Sequence, residues 1–340
     1  MSITIKDVAK EAGVSVATVS RVLNGSCNVS DESTKKVNET IARLNYSPNF
    51  LGRNLRKCET NVILVIMPTS EHSLYSKIVM GMQEFAGKVG YDIITAVSYS
   101  TSTAETRQMN MLFNRTVDGV ILLGTQFDAD SLNKLAENYN VALCCEGVEG
   151  ANVLTVAVDD EQAAFDAVAA LIKKGHKRIG FIGTNSSAIS STARENGYIR
   201  ALKEYGFEIK NEYIYKESYD YDCGGRAFEY FNALAEKPTA IFAVSDLLAI
   251  SAMHKAIDMG IEVGKDIAIM GFDNISMCEW IIPTLSTVEQ PCSKMGELVV
   301  AKLIENMNKT TKDNHYYTVD HRIISVSYTH LRAHETRRHL

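Results

Sequence analysis

Apolar positions follow two periods along this chain, and the change falls near residue 60. Between Ile5 and Leu44 they recur at helical spacing: Val8 and Ala12, then Val19, Val22 and Leu23, then Val37, Ile41 and Leu44. Gly13 can end the first helix because a residue without Cβ takes left-handed angles at little cost. Ser15 is placed to cap the second and Ser30 the third, where Asp31 and Glu32 add carboxylates to a positive first turn. The spacing predicts three short helices around one small core. Residues 50–57, after Pro48, carry Arg53, Arg56 and Lys57 but too few apolar side chains for a core of their own, and Gly52 weakens a helix there. Such a segment is expected to be helical only when something else holds it.

From Asn61 onward short apolar runs alternate with amphipathic stretches. Strands are predicted over 62–67, 91–97, 119–123 and 141–145, with helices over about 74–88, 103–114 and 129–138. The pattern starts again at Gln162, with helices over about 162–174, 191–205, 223–236 and 247–259 and strands over 178–183, 240–244 and 266–271. Strand then helix, repeated through short loops, builds a parallel sheet covered on both faces. The body is therefore expected to be α/β, two Rossmann-like parallel-sheet lobes of similar size with a crevice between their strand ends, the usual binding position for open sheets.

The second short helix leaves Val16, Ala17, Thr18, Ser20 and Arg21 outside, near its start. Small side chains, hydroxyls and one arginine there can enter a major groove and meet base edges, the geometry of a helix-turn-helix. A plain helical hairpin packed on a larger domain shares the local pattern. Charge adds to the first reading: residues 1–60 hold nine Lys/Arg against six Asp/Glu, a net of +3, which leaves −9 for the rest of a chain of net charge −6. A basic head on an acidic body suits a protein whose head alone approaches phosphates.

Composition bounds the rest. At 340 residues, 46% apolar and 22% charged, the chain suits two or three ordinary globular domains. No apolar run approaches the roughly twenty residues that span a bilayer, and the first residues lack the apolar core of a signal peptide, so no membrane partner and a cytoplasmic location are expected. Seven cysteines without a CxxC, and no histidine at ligand spacing, argue for a reducing compartment and no metal. Cys144-Cys145 reads as buried strand. No cofactor and no catalytic set is indicated.

Asp7-Val8-Ala9 through Ser20-Arg21-Val22-Leu23-Asn24-Gly25, with Leu44-Asn45-Tyr46-Ser47-Pro48-Asn49 and Arg53-Asn54-Leu55, resembles the headpiece and hinge of the LacI/GalR family of bacterial transcription regulators. The resemblance continues through Val156-Ala157-Val158-Asp159-Asp160, Gly175-His176-Lys177-Arg178, Gly197-Tyr198, Ser245-Asp246 and Gly271-Phe272-Asp273, to about Ile324. It implies a fold like that of periplasmic sugar-binding proteins behind an all-α helix-turn-helix headpiece, and a structural role for His176. The domains it implies are a headpiece over 1–48, a hinge helix and linker over 49–60, and an effector-binding and dimerisation core over 61–324. Residues 325–340 match nothing in the family, resemble translated adapter sequence, and are set aside. No leucine heptad supports a tetramer-forming coil.

DNA contacts carried over by the resemblance come from Thr4, Ser15, Val16, Ala17, Thr18, Ser20, Arg21, Asn24, Ser30, Asn49 and Leu55. Leu55, apolar between basic residues, is the expected minor-groove wedge. Effector contacts carried over are Tyr75, Glu146, Arg194, Tyr219, Asp246 and Asp273. Arginine's fork can hold hydroxyls or an anion, carboxylates accept from hydroxyl pairs, and an aromatic stacks on a sugar's C–H face. In place of the family's Asp-x-x-Asn-Pro-Phe-Phe run the chain has Thr69-Ser70-Glu71-His72-Ser73-Leu74-Tyr75, keeping one aromatic.

The expected function is a homodimeric repressor of carbohydrate-metabolism genes that reads a pseudo-palindromic operator, controlled by a small effector, a sugar or sugar phosphate. The body also resembles the catabolite control protein A-like members, through Glu161-Gln162-Ala163-Ala164-Phe165-Asp166-Ala167-Val168 and Lys237-Pro238-Thr239-Ala240-Ile241-Phe242, which are switched by a phosphorylated phosphocarrier protein. That corepressor is the alternative; Gln290-Pro291-Cys292-Ser293-Lys294-Met295 lacks the docking helix's aromatic-acidic pair, and Ala301 stands near the arginine position. A sugar-binding protein or enzyme without DNA function is the rival from another class.

Overall fold

The computed structural model describes residues 3–23, 29–46, 59–185, 188–309 and 312–326. They fall into two units, Met1–Thr60 and Asn61–Leu340. Asn24, Asn49, Leu55, the 50–57 segment and residues 327–340 lie outside the described residues.

In the first unit, helices α1 (Ile5–Ala12), α2 (Val16–Leu23) and α3 (Asp31–Leu44) close on Val8, Val19 and Val37, each fully buried. Local chemistry sets every helix end that the residues define. Thr4 and Asp7 form a capping box, the Thr4 N–H donating to the Asp7 carboxylate at 2.8 Å. Gly13 ends α1 at φ 67° and Asn45 ends α3 at φ 47°, both left-handed. Ser15 Oγ accepts from the Thr18 N–H at 3.0 Å and so starts α2.

The second unit has two sheets. Strands β1 (Val62–Met67), β2 (Asp92–Val97), β3 (Gly119–Leu122), β4 (Val141–Cys145), β5 (Leu154–Ala157) and β11 (Tyr316–Thr318) form one, in the order β11-β5-β4-β3-β1-β2 and all parallel. Helices α4 (Ser73–Val89), α5 (Ser102–Phe113) and α6 (Ala129–Asn138) connect its first strands. The other sheet is β7-β6-β8-β9, from β6 (Ile179–Thr184), β7 (Ile214–Glu217), β8 (Ala240–Ala243) and β9 (Ala268–Met270), also parallel. Around it lie α7 (Asp160–Lys173), α8 (Ile189–Glu204), α9 (Tyr221–Ala233), α10 (Asp246–Asp258) and the short α11 (Met277–Trp280).

The lobes are not consecutive stretches of chain, although the pattern restarts at residue 162. After β10 (Thr287–Glu289) the chain returns to the first lobe, where α12 (Cys292–Met307) packs on α4 and β11 extends the sheet. It then crosses once more, and β12 (Arg322–Ile324) pairs antiparallel with β10. Three strand connections therefore join the lobes.

Glycines set how closely the main helix pairs approach. A Cβ on Gly197 would lie 2.2 Å from Glu161 O, on Gly224 2.1 Å from Leu248 O, and on Gly296 2.2 Å from Ile78 O. Gly296→Ala is therefore expected to force α12 off α4 and cost about 1–3 kcal/mol. Gly87, on α4 with nothing within 4 Å of an added Cβ, gives the opposite sign: Gly87→Ala should stabilise by about 0.4–1 kcal/mol. Paired thermal melts check both; two shifts of the same direction would refute the packing argument. No helix among the described residues is long and apolar enough to cross a membrane.

Candidate functional site

Parallel strands end together, so the loops after β1, β4, β6, β8 and β9 converge, and between the lobes they enclose a cavity of about 820 Å³. Its rim carries backbone strain. Cys145, at the end of β4, has φ 84°, and Asp273, just after β9, has φ 115°, conformations that L residues rarely adopt and that concentrate at ligand sites. Cys145 is thus half-buried at the crevice wall, while Cys144 is the buried strand residue the sequence suggests for both.

Arg194 is the centre of the site. Placed one turn into α8, it is buried, with Nε donating to Asp160 Oδ1 at 2.7 Å and Nη1 to Val244 O at 2.7 Å and to Asp273 Oδ1 at 3.3 Å. Its guanidinium lies 3.7 Å from the Phe272 ring centroid. Burial works against its charge, yet Asp160 and Asp273 together hold its pKa above the ordinary value. For Asp160 the balance goes the other way: burial pushes the carboxyl up to about 6 against the pull of Arg194. Two carboxylates share one guanidinium, and the cluster has one negative charge too many for a dry site.

Tyr75, Glu146, Arg194, Tyr219 and Asp273 all line the cavity. Asp246 does not, and this corrects the expectation from sequence. It is fully buried at the start of α10, where its carboxylate accepts from the Ile275 N–H at 2.8 Å and from the Thr287 hydroxyl. Burial, then the nearby Asp273 carboxylate, raise its pKa. Its role is to hold the 274–275 loop and β10 together, and Ser245 occupies the lining position beside it.

His72, Gln290 and Asp160 were missed. His72 Nε2 stands 3.0 Å from the Tyr219 hydroxyl and 3.6 Å from Asp273 Oδ2, and Gln290 Nε2 donates to Asp273 Oδ1 at 2.8 Å. The departure of the 69–75 run from the family pattern was the available signal for His72. The lobes are bridged here by His72 to Tyr219, by the Ser190 N–H to Glu146 Oε2 at 3.2 Å, and by Lys77 Nζ to Asn274 O at 2.7 Å. His176 is buried and does not line the cavity, its Nδ1 lying 3.1 Å from the Thr239 hydroxyl.

In the first unit α2 presents Val16, Ala17 and Arg21 exposed, with Thr18 and Ser20 half-buried. Thr4, Ser15 and Ser30 are exposed too, and their hydroxyls cap α1, α2 and α3.

A family model described as bacterial regulatory proteins, lacI family, matches residues 4–49, and one described as periplasmic binding protein-like domain matches residues 168–325. Catabolite control protein A from Priestia megaterium is 38% identical over 325 residues, 95% of this chain and 98% of its own length. A solved transcriptional regulator CelR-cellobiose complex aligns over 95% of this chain and 98% of its own, with TM-score 0.71 and 26% identity. The lac repressor dimer bound to operator and the anti-inducer ONPF has the same fold, with TM-score 0.87 and 23% identity over 97% of this chain and all of its own.

Proposed function

Because the chain belongs to the lacI family of bacterial regulatory proteins, a family of DNA-binding transcription regulators, we propose that it represses carbohydrate-metabolism genes as a homodimer under a sugar-like effector held between its lobes. The observation that carries this reading is the pairing of an exposed α2 face with a crevice whose two walls are joined by side-chain bonds. A ligand entering the crevice must exchange those bonds for its own. That changes the relation between lobes, and the hinge proposed over 49–60, marginal by itself, responds to it.

Dimerisation is supported by large apolar side chains in water: Ile282 is 92% exposed and Trp280 75%, with Met277 beside them on α11. The domain division proposed is a headpiece to residue 48, a hinge over 49–60 and a core to 324. Base readout is assigned to Val16, Ala17, Thr18, Ser20 and Arg21 on α2, with Thr4, Ser15, Asn24, Ser30 and Asn49 at the backbone and Leu55 in the minor groove. Tyr75, Glu146, Arg194, Tyr219 and Asp273 hold the effector. The alternative, a phosphorylated phosphocarrier protein as corepressor, has less support: Gln290 is turned inward to Asp273, and Ser293 and Lys294 are the exposed side chains opening α12.

Arg21→Ala is the direct test. On a pseudo-palindromic operator it should lose about 1–3 kcal/mol per guanine contact and relax base preference at that position, while binding to random duplex changes little. Gel-shift titration at fixed salt reads both. Equal loss on both duplexes would make Arg21 a phosphate contact, and wild-type binding without sequence preference would end the repressor reading.

A further inference from the structure

We propose that the effector is a sugar-sized polyhydroxy compound carrying an amine, and that the crevice rejects sugar phosphates. This rests on reading the crevice as the effector site. The cavity is lined by four carboxylates, Glu105, Asp128, Glu146 and Asp273, against one guanidinium, that of Arg194. Glu105 is discounted, since it is buried and its carboxylate is taken up by the Thr125 hydroxyl at 2.9 Å and the Gln126 N–H at 3.0 Å. Asp128 is discounted as well, being exposed and capping α6 through the Ser131 N–H at 2.8 Å. Glu146 and Asp273 remain, and they decide the charge of the site.

Arg194 offsets them only in part. Its Nε and Nη1 are taken up by Asp160, Val244 O and Asp273, which leaves Nη2 for a ligand, and an incoming anion would share a cation already claimed by two carboxylates. Nor is the usual anion seat open. The N-terminus of α8 points its Ser190 N–H into the crevice, and the group received there is the protein's own Glu146 Oε2 at 3.2 Å. The start of α4 has no side-chain cap, but His72 there faces Asp273 at 3.6 Å, again a carboxylate. A phosphate would stand beside a carboxylate at both helix ends.

An ammonium group meets the reverse situation. Glu146 Oε1 has no hydrogen-bond partner among the described residues and can accept a charged donor. Tyr75, His72 and Tyr219 form a continuous wall of rings, with centroids 5.4 and 6.2 Å apart; the two tyrosine faces attract a cation, and the wall covers a sugar's C–H surface. Glu146 adds its charge to the excess carboxylate of the Arg194 cluster, and an ammonium lowers that negative charge where a phosphate would add to it.

The test uses the full chain and probes matched in shape but not in charge: glucosamine, N-acetylglucosamine, glucose and glucose 6-phosphate, with the diamine of chitobiose, N,N′-diacetylchitobiose and cellobiose as the larger set. Thermal shift followed by calorimetric titration is expected to give at least about tenfold tighter binding for an amine than for its acetylated twin, and no binding of the phosphate. Glu146→Gln should bring the amine to within about twofold of the neutral sugar. Because acetylation removes the charge from the ligand, the comparison holds even where that variant does not fold. Binding of glucose 6-phosphate, or equal binding of amine and acetylated probes, would overturn the inference and leave the crevice as the effector site. Silence from every probe at millimolar concentration would count against both.

Discussion

Arg194→Met should lower stability by about 3–5 kcal/mol at pH 7.5, the usual cost of removing one partner from a buried ion cluster. Met fills much of the volume, so the loss measures charge rather than a cavity. Both carboxylates are buried; Asp273 would keep the Gln290 amide and the His72 ring as neighbours, while Asp160 would lose the guanidinium it accepts from. The pH dependence gives the argument a sign. Asp160 sits at about 6 in the native chain against an ordinary 3.8, so its raised carboxyl favours the fold below 3.8 and that contribution is lost as pH rises through 6. Without Arg194 the native value rises further, and the variant binds more protons when folded. Its deficit should therefore shrink as pH falls from 7.5 to 5, read from melting temperatures of both proteins at each pH. A variant as stable as the parent at pH 7.5 would show that the cluster does not hold this part of the molecule.

Removal of residues 1–60 should abolish operator binding and leave the core folded. The two units have separate apolar cores, one around Val8, Val19 and Val37 and the other in the sheets, so the larger need not unfold when the smaller is absent. Specific affinity is expected to fall by about 10³-fold or more, to nothing beyond an acidic protein's background on DNA. Gel shift reads the first part, and the melting transition of residues 61–340 the second. Retained operator binding would place the nucleic-acid surface on the wrong unit.

Much of this molecule is written in local pattern. Val8, Ala12, Val19, Val22, Leu23, Val37, Ile41 and Leu44 define the headpiece core by spacing alone, and all pack in it. Strands such as Val62–Met67 and Val141–Cys145 announce themselves because a strand buried on both faces has nothing but apolar residues to show. Short strands carry weaker signals. Leu154–Ala157 and Ile214–Glu217 were not expected as strands, and Tyr316–Thr318 joins a sheet begun 254 positions earlier at Val62, as no local window could reveal.

The site divides along the same line. The family resemblance named Tyr75, Glu146, Arg194, Tyr219 and Asp273, and all five line one cavity, where parallel strands deliver their C-terminal loops to a common edge. It was not enough for Asp246, which follows a strand as Asp273 does but turns its carboxylate inward to Ile275 and Thr287. The sequence by itself determined the elements, the alternating α/β order and the three-helix head, since those follow from interactions within a few residues. Only the tertiary structure decided which chain passages cross between lobes, which carboxylates share Arg194 and which stay open to a ligand. Those outcomes depend on distances between residues far apart in the chain, such as Arg194 and Asp273, and on how much water remains between them.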